Sequence, residues 1–213
     1  MKLPCPSCGA EISFISKASL CATCAYCRSS VVRHNLDLSL IGKVAQLPDD
    51  ISPIQIGTRG SYRGRNFEII GRLKVRWDAG TWNEWYAHFA DDTDGWLAEA
   101  QGEYMMSFRQ YMKEMMVAAK LRALPAGSPV SLKNQRFIIN DTRSITYVGS
   151  EGELPFRAVA GEKSYNIDLS GENQAFATIE VAEMDTRVYV GEYVKFADLA
   201  LRDLRVLEGW EKP

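Results

Sequence analysis

Between residues 57 and 108, apolar and polar positions follow one another with a period of two. Leu73, Val75 and Trp77 alternate with Arg72, Lys74 and Arg76, the pattern of a strand with one face buried and one face wet. The stretch 62–70 places Phe67 and Ile69 on one face, and Gly71 reads as the turn that ends it. Asp78-Ala-Gly80 is the next turn, 82–89 the next strand and 91–95 the next loop, and 96–99 with 103–108 complete a meander. Strands at this spacing predict a small barrel or sandwich. The period then lengthens. Met105, Phe108, Met112, Met115 and Ala119 fall at a/d spacing, which predicts a helix over 109–122, stopped by Pro125 and Gly127. Its methionine stripe reads as core packing.

The second half repeats this pattern. Gly57, Tyr62, Phe67 and Ile69 have counterparts 70 residues on at Gly127, Leu132, Phe137 and Ile139, and Gly102-Glu103 matches Gly171-Glu172 at a spacing one residue shorter. Two related β units follow from that. Near the end, Arg187–Val190, Gly191-Glu192 and Tyr193–Phe196 read as a hairpin, and Leu199, Leu201, Leu204 and Leu207 as a short packed tail.

The first 34 residues have a different logic. All five cysteines lie between Cys5 and Cys27. Cys5, Cys8, Cys24 and Cys27 give C-x2-C-x15-C-x2-C, within the range expected of zinc sites, whereas using Cys21 with Cys24 gives a shorter separation. Two such pairs close a tetrahedral shell and leave no position for substrate, so the expected ion is a structural Zn2+. Gly9 follows the first pair and suits the positive φ of a tight knuckle. Ile12 and Phe14 share a face of a short strand after it, and Val31-Val32 begins another after Arg28-Ser-Ser30. A unit of this size cannot bury enough surface to fold alone, and zinc supplies what is missing. Cys21 is expected on the strand leading into the second knuckle, outside the ligand set. His34 is expected at the surface.

Composition narrows the class. The chain has 213 residues, 46% apolar and 24% charged, with a net charge of −2. Residues 1–45 carry +3, 46–124 carry −1 and 125–213 carry −4. That is too mild to demand nucleic acid. No apolar run approaches the roughly 18 residues of a membrane helix, and no signal-peptide pattern opens the chain. An odd cysteine count with CxxC spacing fits a reducing compartment, so the expected location is cytoplasmic.

Candidate chemistry on the β units is sparse. No nucleophile elbow, P-loop or dinucleotide fingerprint occurs. In Trp82-Asn-Glu-Trp-Tyr-Ala-His-Phe89, alternation sets Trp85, Ala87 and Phe89 on one face and Trp82, Glu84, Tyr86 and His88 on the other. The second set is the candidate binding face. Glu84 and His88 are four strand residues apart, about 13 Å, too far for an acid–base dyad. Arg59, Arg63, Arg65, Arg72, Lys74 and Arg76 form a basic run. If Arg63, Arg65, Arg72, Lys74 and Arg76 shared an outer face, they would make a single-stranded nucleic-acid platform.

A ribbon leading into Gly57-x-x-Gly60-x-Tyr62-x-Gly64-x-x-Phe67-x-Ile69-x-Gly71-Arg72, then Trp82-x-Glu84-Trp85, Gly95-Trp96-Leu97-x-Glu99 and Gly102, with later Asp168–Gly171 and Phe176–Ile179, resembles the zinc-ribbon-bearing members of a bacterial family. It is the family called domain of unknown function forty-one seventy-eight. The resemblance implies no established activity, and an accessory role in a bacterial envelope or stress system. An apolar residue is more usual in that family where this chain has Cys21.

The expected fold is mainly β: a zinc ribbon (1–34), a bridge (35–53), a first β domain with a C-terminal helix (54–124) and a second β domain (125–213), the two domains related barrels or sandwiches. The expected function is that of a non-enzymatic zinc-binding adaptor with a protein partner. The alternatives are a nucleic-acid-binding protein using the ribbon and the 59–76 run, and an enzyme with its site between the two β repeats.

Overall fold

The computed structural model describes all residues except 44–46, 48–49, 112–119, 121, 183–184 and 208–213. Its first five strands, β1 (Lys2–Pro4), β2 (Glu11–Ser13), β3 (Cys21–Thr23), β4 (Ser29–His34) and β5 (Asp37–Lys43), form the N-terminal unit. β1 and β2 make one hairpin, and β3, β4 and β5 an antiparallel sheet. Cys5, Ile12, Phe14, Ala22, Cys24 and Val31 form its small core. The stretch 37–43, read from sequence as the start of a bridge, is thus a ribbon strand paired with β4.

The rest is two meanders of five strands. The first is β6 (Arg59–Tyr62), β7 (Arg65–Trp77), β8 (Gly80–Phe89), β9 (Asp94–Ala100) and β10 (Glu103–Gln110). The second is β11 (Pro129–Leu132), β12 (Gln135–Leu154), β13 (Lys163–Gly171), β14 (Ala175–Val181) and β15 (Thr186–Val194). Equivalent parts superpose along the sequence at the 70-residue spacing. Arg63-Gly64 and Lys133-Asn134 both turn with positive φ at each position, the type I′ geometry that matches strand twist. Gly57 N–H donates to Ile69 O at 2.8 Å, and Gly127 N–H to Ile139 O at 2.8 Å. Both long strands then bulge at the same place, between Ile69 and Gly71 and between Ile139 and Asp141.

The bulge corrects one sequence expectation. Gly71 is not a turn; β7 runs on through it, because an inserted residue shifts the strand's faces without ending it. Phe67 and Ile69 pack into one core, and Ile70, Leu73 and Val75 into another. Gly191-Glu192 is likewise internal to β15 rather than the tip of a hairpin. Nor are Gly102-Glu103 and Gly171-Glu172 equivalent: they sit at the β9–β10 and β13–β14 turns, one hairpin out of step. Arg109 and Gln110, assigned to a helix, end β10, and Met105 and Phe108 lie on the same strand. Lys120 and Arg122 are helical, while Met112, Met115 and Ala119 fall outside the described residues.

The meanders join at two seams. β7 pairs with β12 and β10 pairs with β15, all antiparallel. With the pairings inside each meander, these close a ring of eight strands, β7-β8-β9-β10-β15-β14-β13-β12. Inside the ring lies a core drawn from both repeats: Ile70, Leu73, Val75, Tyr86 and Trp96 from the first, Ile145, Tyr147, Leu154 and Tyr189 from the second. Each meander also has a core on its other face. That of the first includes Phe67, Trp85, Phe89 and Met106 and is covered by Ile54, Tyr62 and the tail residues Leu199, Leu201 and Leu204. That of the second includes Val130, Phe137, Leu169 and Ile179. The ribbon docks on the end of β12, where Ala22 and Cys21 pair with Glu153 and Leu154. Glu153 also accepts the backbone N–H of Ile15 at 2.7 Å.

Candidate metal centre and barrel interior

The two cysteine knuckles are built alike. Gly9 N–H donates to Cys5 O, and Arg28 N–H donates to Cys24 O, each at 2.9 Å. Cys5 N–H donates to Ala10 O at 2.8 Å, and Cys24 N–H to Ser29 O at 2.9 Å. Gly9 and Arg28 take the same positive φ, 75° and 57°. The second knuckle therefore makes the turn without glycine. The folded knuckles bring Cys5, Cys8, Cys24 and Cys27 together, all four sulfurs within 4.8 Å of one another. Cys5 Sγ lies 3.7 Å from Cys27 Sγ, and Cys8 Sγ 3.8 Å from Cys24 Sγ. Four metal–sulfur bonds of about 2.3 Å in a tetrahedron set sulfur–sulfur edges of roughly 3.8 Å, so this donor set could hold a metal ion. The Cys27 sulfur is 3.2 Å from the Ser29 hydroxyl, and that contact with the Ser29 amide holds its thiol down at about 6. Cys21 is buried on β3, opposite Val32 and Leu154. Burial pushes its thiol up to about 11.

The basic run does not gather on one solvent face. Arg72 and Lys74 are each only 4% exposed. Arg72 meets Asp50 and Asn83, and Lys74 Nζ meets Asp50 at 2.6 Å. Arg63 pairs with Glu192, and Arg65 with Asp91 at 2.8 Å. Arg76 is exposed. The cause is a covered outer face: Arg72 and Lys74, on the side of β7 opposite Leu73 and Val75, are buried against Asp50, and β6 pairs with only the first residues of β7.

The face of β8 bearing Trp82, Glu84, Tyr86 and His88 turns inward. Trp82 and Tyr86 belong to the core inside the ring. His88 Nδ1 contacts Asp94 Oδ1 at 2.7 Å. Glu84 lines a cavity of about 40 Å³ to which all eight ring strands contribute: Leu73 and Val75, Trp82, Trp96, Ser107, Ile145 and Tyr147, Asn166, Thr178 and Glu180, and Tyr189, with Phe156 from beyond β12. A ring of eight strands leaves room for packed side chains or one small ligand.

Charged and polar groups are set into this mainly apolar interior. Arg187 donates to Tyr147 Oη at 2.8 Å and lies 3.3 Å from Glu180 Oε1. Arg143 lies 3.7 Å from Asp168. Trp82 Nε1–H donates to Glu84 Oε1 at 2.7 Å. Burial, reinforced by Asp168 and Glu180, raises the Glu84 carboxyl to about 8. Burial also raises Asp168. Sequence reasoning grouped Glu84 with Trp82 but missed Asn166, Asp168, Glu180 and Arg187. Period-two alternation does mark Asn166 with Asp168, and Glu180 with Thr178, as sharing a face; which face turns inward depends on ring closure.

Among the described residues, no helix is long and apolar enough to cross a membrane. No curated protein and no solved structure matches the chain. The ribbon, with its four thiols, precedes the one region that does match a known family. Residues 55–196, two thirds of the chain, match the family described as Domain of unknown function (DUF4178), and the chain belongs to that family.

Proposed function

We propose that the protein is a non-enzymatic interaction protein whose ribbon, held by a structural zinc ion on Cys5, Cys8, Cys24 and Cys27, presents an apolar surface to a protein partner. Four thiolates at tetrahedral spacing suit zinc and leave it no open position. The observation that carries the reading is where exposed apolar side chains lie. Of the ten large exposed hydrophobics among the described residues, six are on the ribbon: Met1, Ile15, Leu20, Tyr26, Leu36 and Leu40. Tyr26, between Cys24 and Cys27, is 82% exposed, and Leu36, at the β4–β5 turn, 74%. The ring has its apolar residues inside or covered. Exposed apolar side chains concentrated on one unit support a contact surface there. An accessory role in a bacterial envelope or stress system is compatible with a scaffold of this kind.

The test is affinity capture at native level, comparing the wild type with Tyr26→Ser/Leu36→Ser, and metal analysis of the same samples. One zinc per chain in both proteins, with a reproducible partner lost only from the variant, supports the reading. A partner held equally by the variant removes the ribbon from the interface.

A further inference from the structure

We propose that the outer groove between Asp50–Pro53, strands β7–β9 and the C-terminal tail binds an amphipathic carboxylate, one small anionic head on an apolar body as in a fatty acid. The groove has a volume of about 860 Å³, within the roughly 300–1,000 Å³ of small-molecule sites. Strand register sets its floor. Lys74 on β7 faces Asn83 on β8, and Asn83 faces Glu99 on β9. All three line the groove. Lys74 is 4% exposed, and an ammonium carries three N–H donors. Among the described residues its only hydrogen-bond partner is Asp50, at 2.6 Å. Asp50 is itself shared: Arg72 meets the same oxygen, and Arg205 reaches the other at 3.3 Å. Three cations thus converge on one carboxylate.

Arg72 has further partners in Asn83 and, at 3.4 Å, Glu151. Arg205 adds Ser52 O at 2.8 Å. Lys74 and Arg205 therefore keep donors that a second carboxylate beside Asp50 would take up. Glu99 does not fill that place. Its carboxylate accepts Asn83 Nδ2–H at 3.1 Å and Trp85 Nε1–H at 2.9 Å. It also stands two strand spacings from Lys74, about 10 Å. Asp50, Glu99 and Glu151 already bring negative charge to this face, so a head with one charge suits it better than a phosphate dianion. The walls are apolar. Trp82, Tyr104, Phe196, Leu201 and Leu204 line the groove. Ile51 and Val206, which also line it, are 75% and 78% exposed. They are two of the four large exposed hydrophobics that lie off the ribbon. Ile51 follows Asp50 in the chain, so the apolar wall begins beside the cations. A head held there would run its apolar body along that wall and remove it from water.

The test is isothermal titration calorimetry of the purified full chain with decanoate below its micelle concentration. Acetate, decanol, decyl phosphate and decyltrimethylammonium are titrated in parallel. Saturable binding of one decanoate per chain is expected, about tenfold or more tighter than decanol, the contribution of one charge-assisted contact. Acetate and decyltrimethylammonium are expected not to bind. Lys74→Met is expected to weaken decanoate about tenfold and to bring it level with decanol. Asp50→Asn removes the carboxylate that competes for Lys74 and Arg205, and it is expected to bind decanoate more tightly. Val206→Asp changes an exposed rim position, so it keeps the fold, and it is expected to weaken decanoate several-fold. Decanol binding as tightly as decanoate would leave only an apolar surface and overturn the proposal. Decyl phosphate binding more tightly than decanoate, Asp50→Asn or Val206→Asp acting in the opposite direction, or no saturable binding to the wild type would overturn it too.

Discussion

Cys21 and Cys24 lie three positions apart, yet only Cys24 meets the other thiols. Cys24→Ser is expected to lose the metal and unfold the ribbon, because that unit has a core too small to stand without it. Cys21→Ser is expected to keep one metal per chain and to cost about 1–3 kcal/mol, the penalty of a hydroxyl in an apolar strand contact. Metal analysis and far-ultraviolet circular dichroism of the two variants separate these outcomes. Stoichiometric metal in Cys24→Ser would falsify the ligand set. Glu84 gives the second prediction at this scale. Its carboxyl ionises near 4.5 when unfolded and near 8 when folded. Between those values the native state binds more protons than the unfolded state, so stability falls as pH rises from about 4.5 to 8. The facing groups are Trp82 on the same strand, Asp168 on β13 and Glu180 on β14, with Arg143 and Arg187 beyond the two acids. Glu84→Gln removes this slope. It should melt with the wild type near pH 4 and above it at pH 8, the gap reaching a few kcal/mol. Thermal melts across that range check it, and parallel curves would place the pH dependence elsewhere.

Strands and seams obey a different constraint, the approach of one backbone to another. At the β10–β15 seam, a Cβ added to Gly191 would lie 1.9 Å from Met106 O. At the β7–β12 seam, one added to Gly71 would lie 1.7 Å from Glu153 O. Both glycines read as turns from sequence, since glycine between apolar runs is the usual turn signal. Here they mark close crossings inside long strands, a use the sequence does not distinguish. The I′ turns belong to the other class: Gly64 has φ +75° and open space around it. Gly64→Ala is therefore expected to cost only about 1 kcal/mol. Gly191→Ala must part the seam and is expected to cost about 3 kcal/mol or more. Urea melts rank the two, and a Gly191→Ala protein as stable as Gly64→Ala would show that the seam is slacker than its backbone contacts imply. The I′ turns at Arg63-Gly64 and Lys133-Asn134 lie 70 residues apart, each between two positions matched in the sequence, Tyr62 and Phe67 in one copy and Leu132 and Phe137 in the other.

At the scale of the molecule, legibility stops where local pattern stops. Period-two alternation disclosed the strands, cysteine spacing disclosed the thiol cluster, and the 70-residue matches at Gly57, Tyr62, Phe67 and Ile69 disclosed the repeat. Ring closure was not legible, because it depends on β7 meeting β12 and β10 meeting β15 across large sequence separations. That one fact made the Trp82 face an interior wall, while Arg72 and Lys74 stay on the outer face of β7 and are buried there against Asp50. It also bears on whether 54–124 and 125–213 stand as separate domains. The inner core takes Leu73, Val75, Tyr86 and Trp96 from one half and Ile145, Tyr147 and Tyr189 from the other. Splitting the chain would expose both seams as unpaired edges and this core as open apolar surface. It would also leave Glu180 and Arg187 in solvent with half their surroundings. Neither half alone is expected to give a dispersed amide spectrum, and mixing the two is expected to restore one through the β7–β12 and β10–β15 pairings. In the intact chain, with the ribbon metal chelated, the ring should then melt in a single calorimetric transition whose van't Hoff and calorimetric enthalpies agree. Two resolved ring transitions, or a folded isolated half, would mean that the outer cores around Phe67 and Phe137 suffice and that the ring is only an assembly of two finished domains.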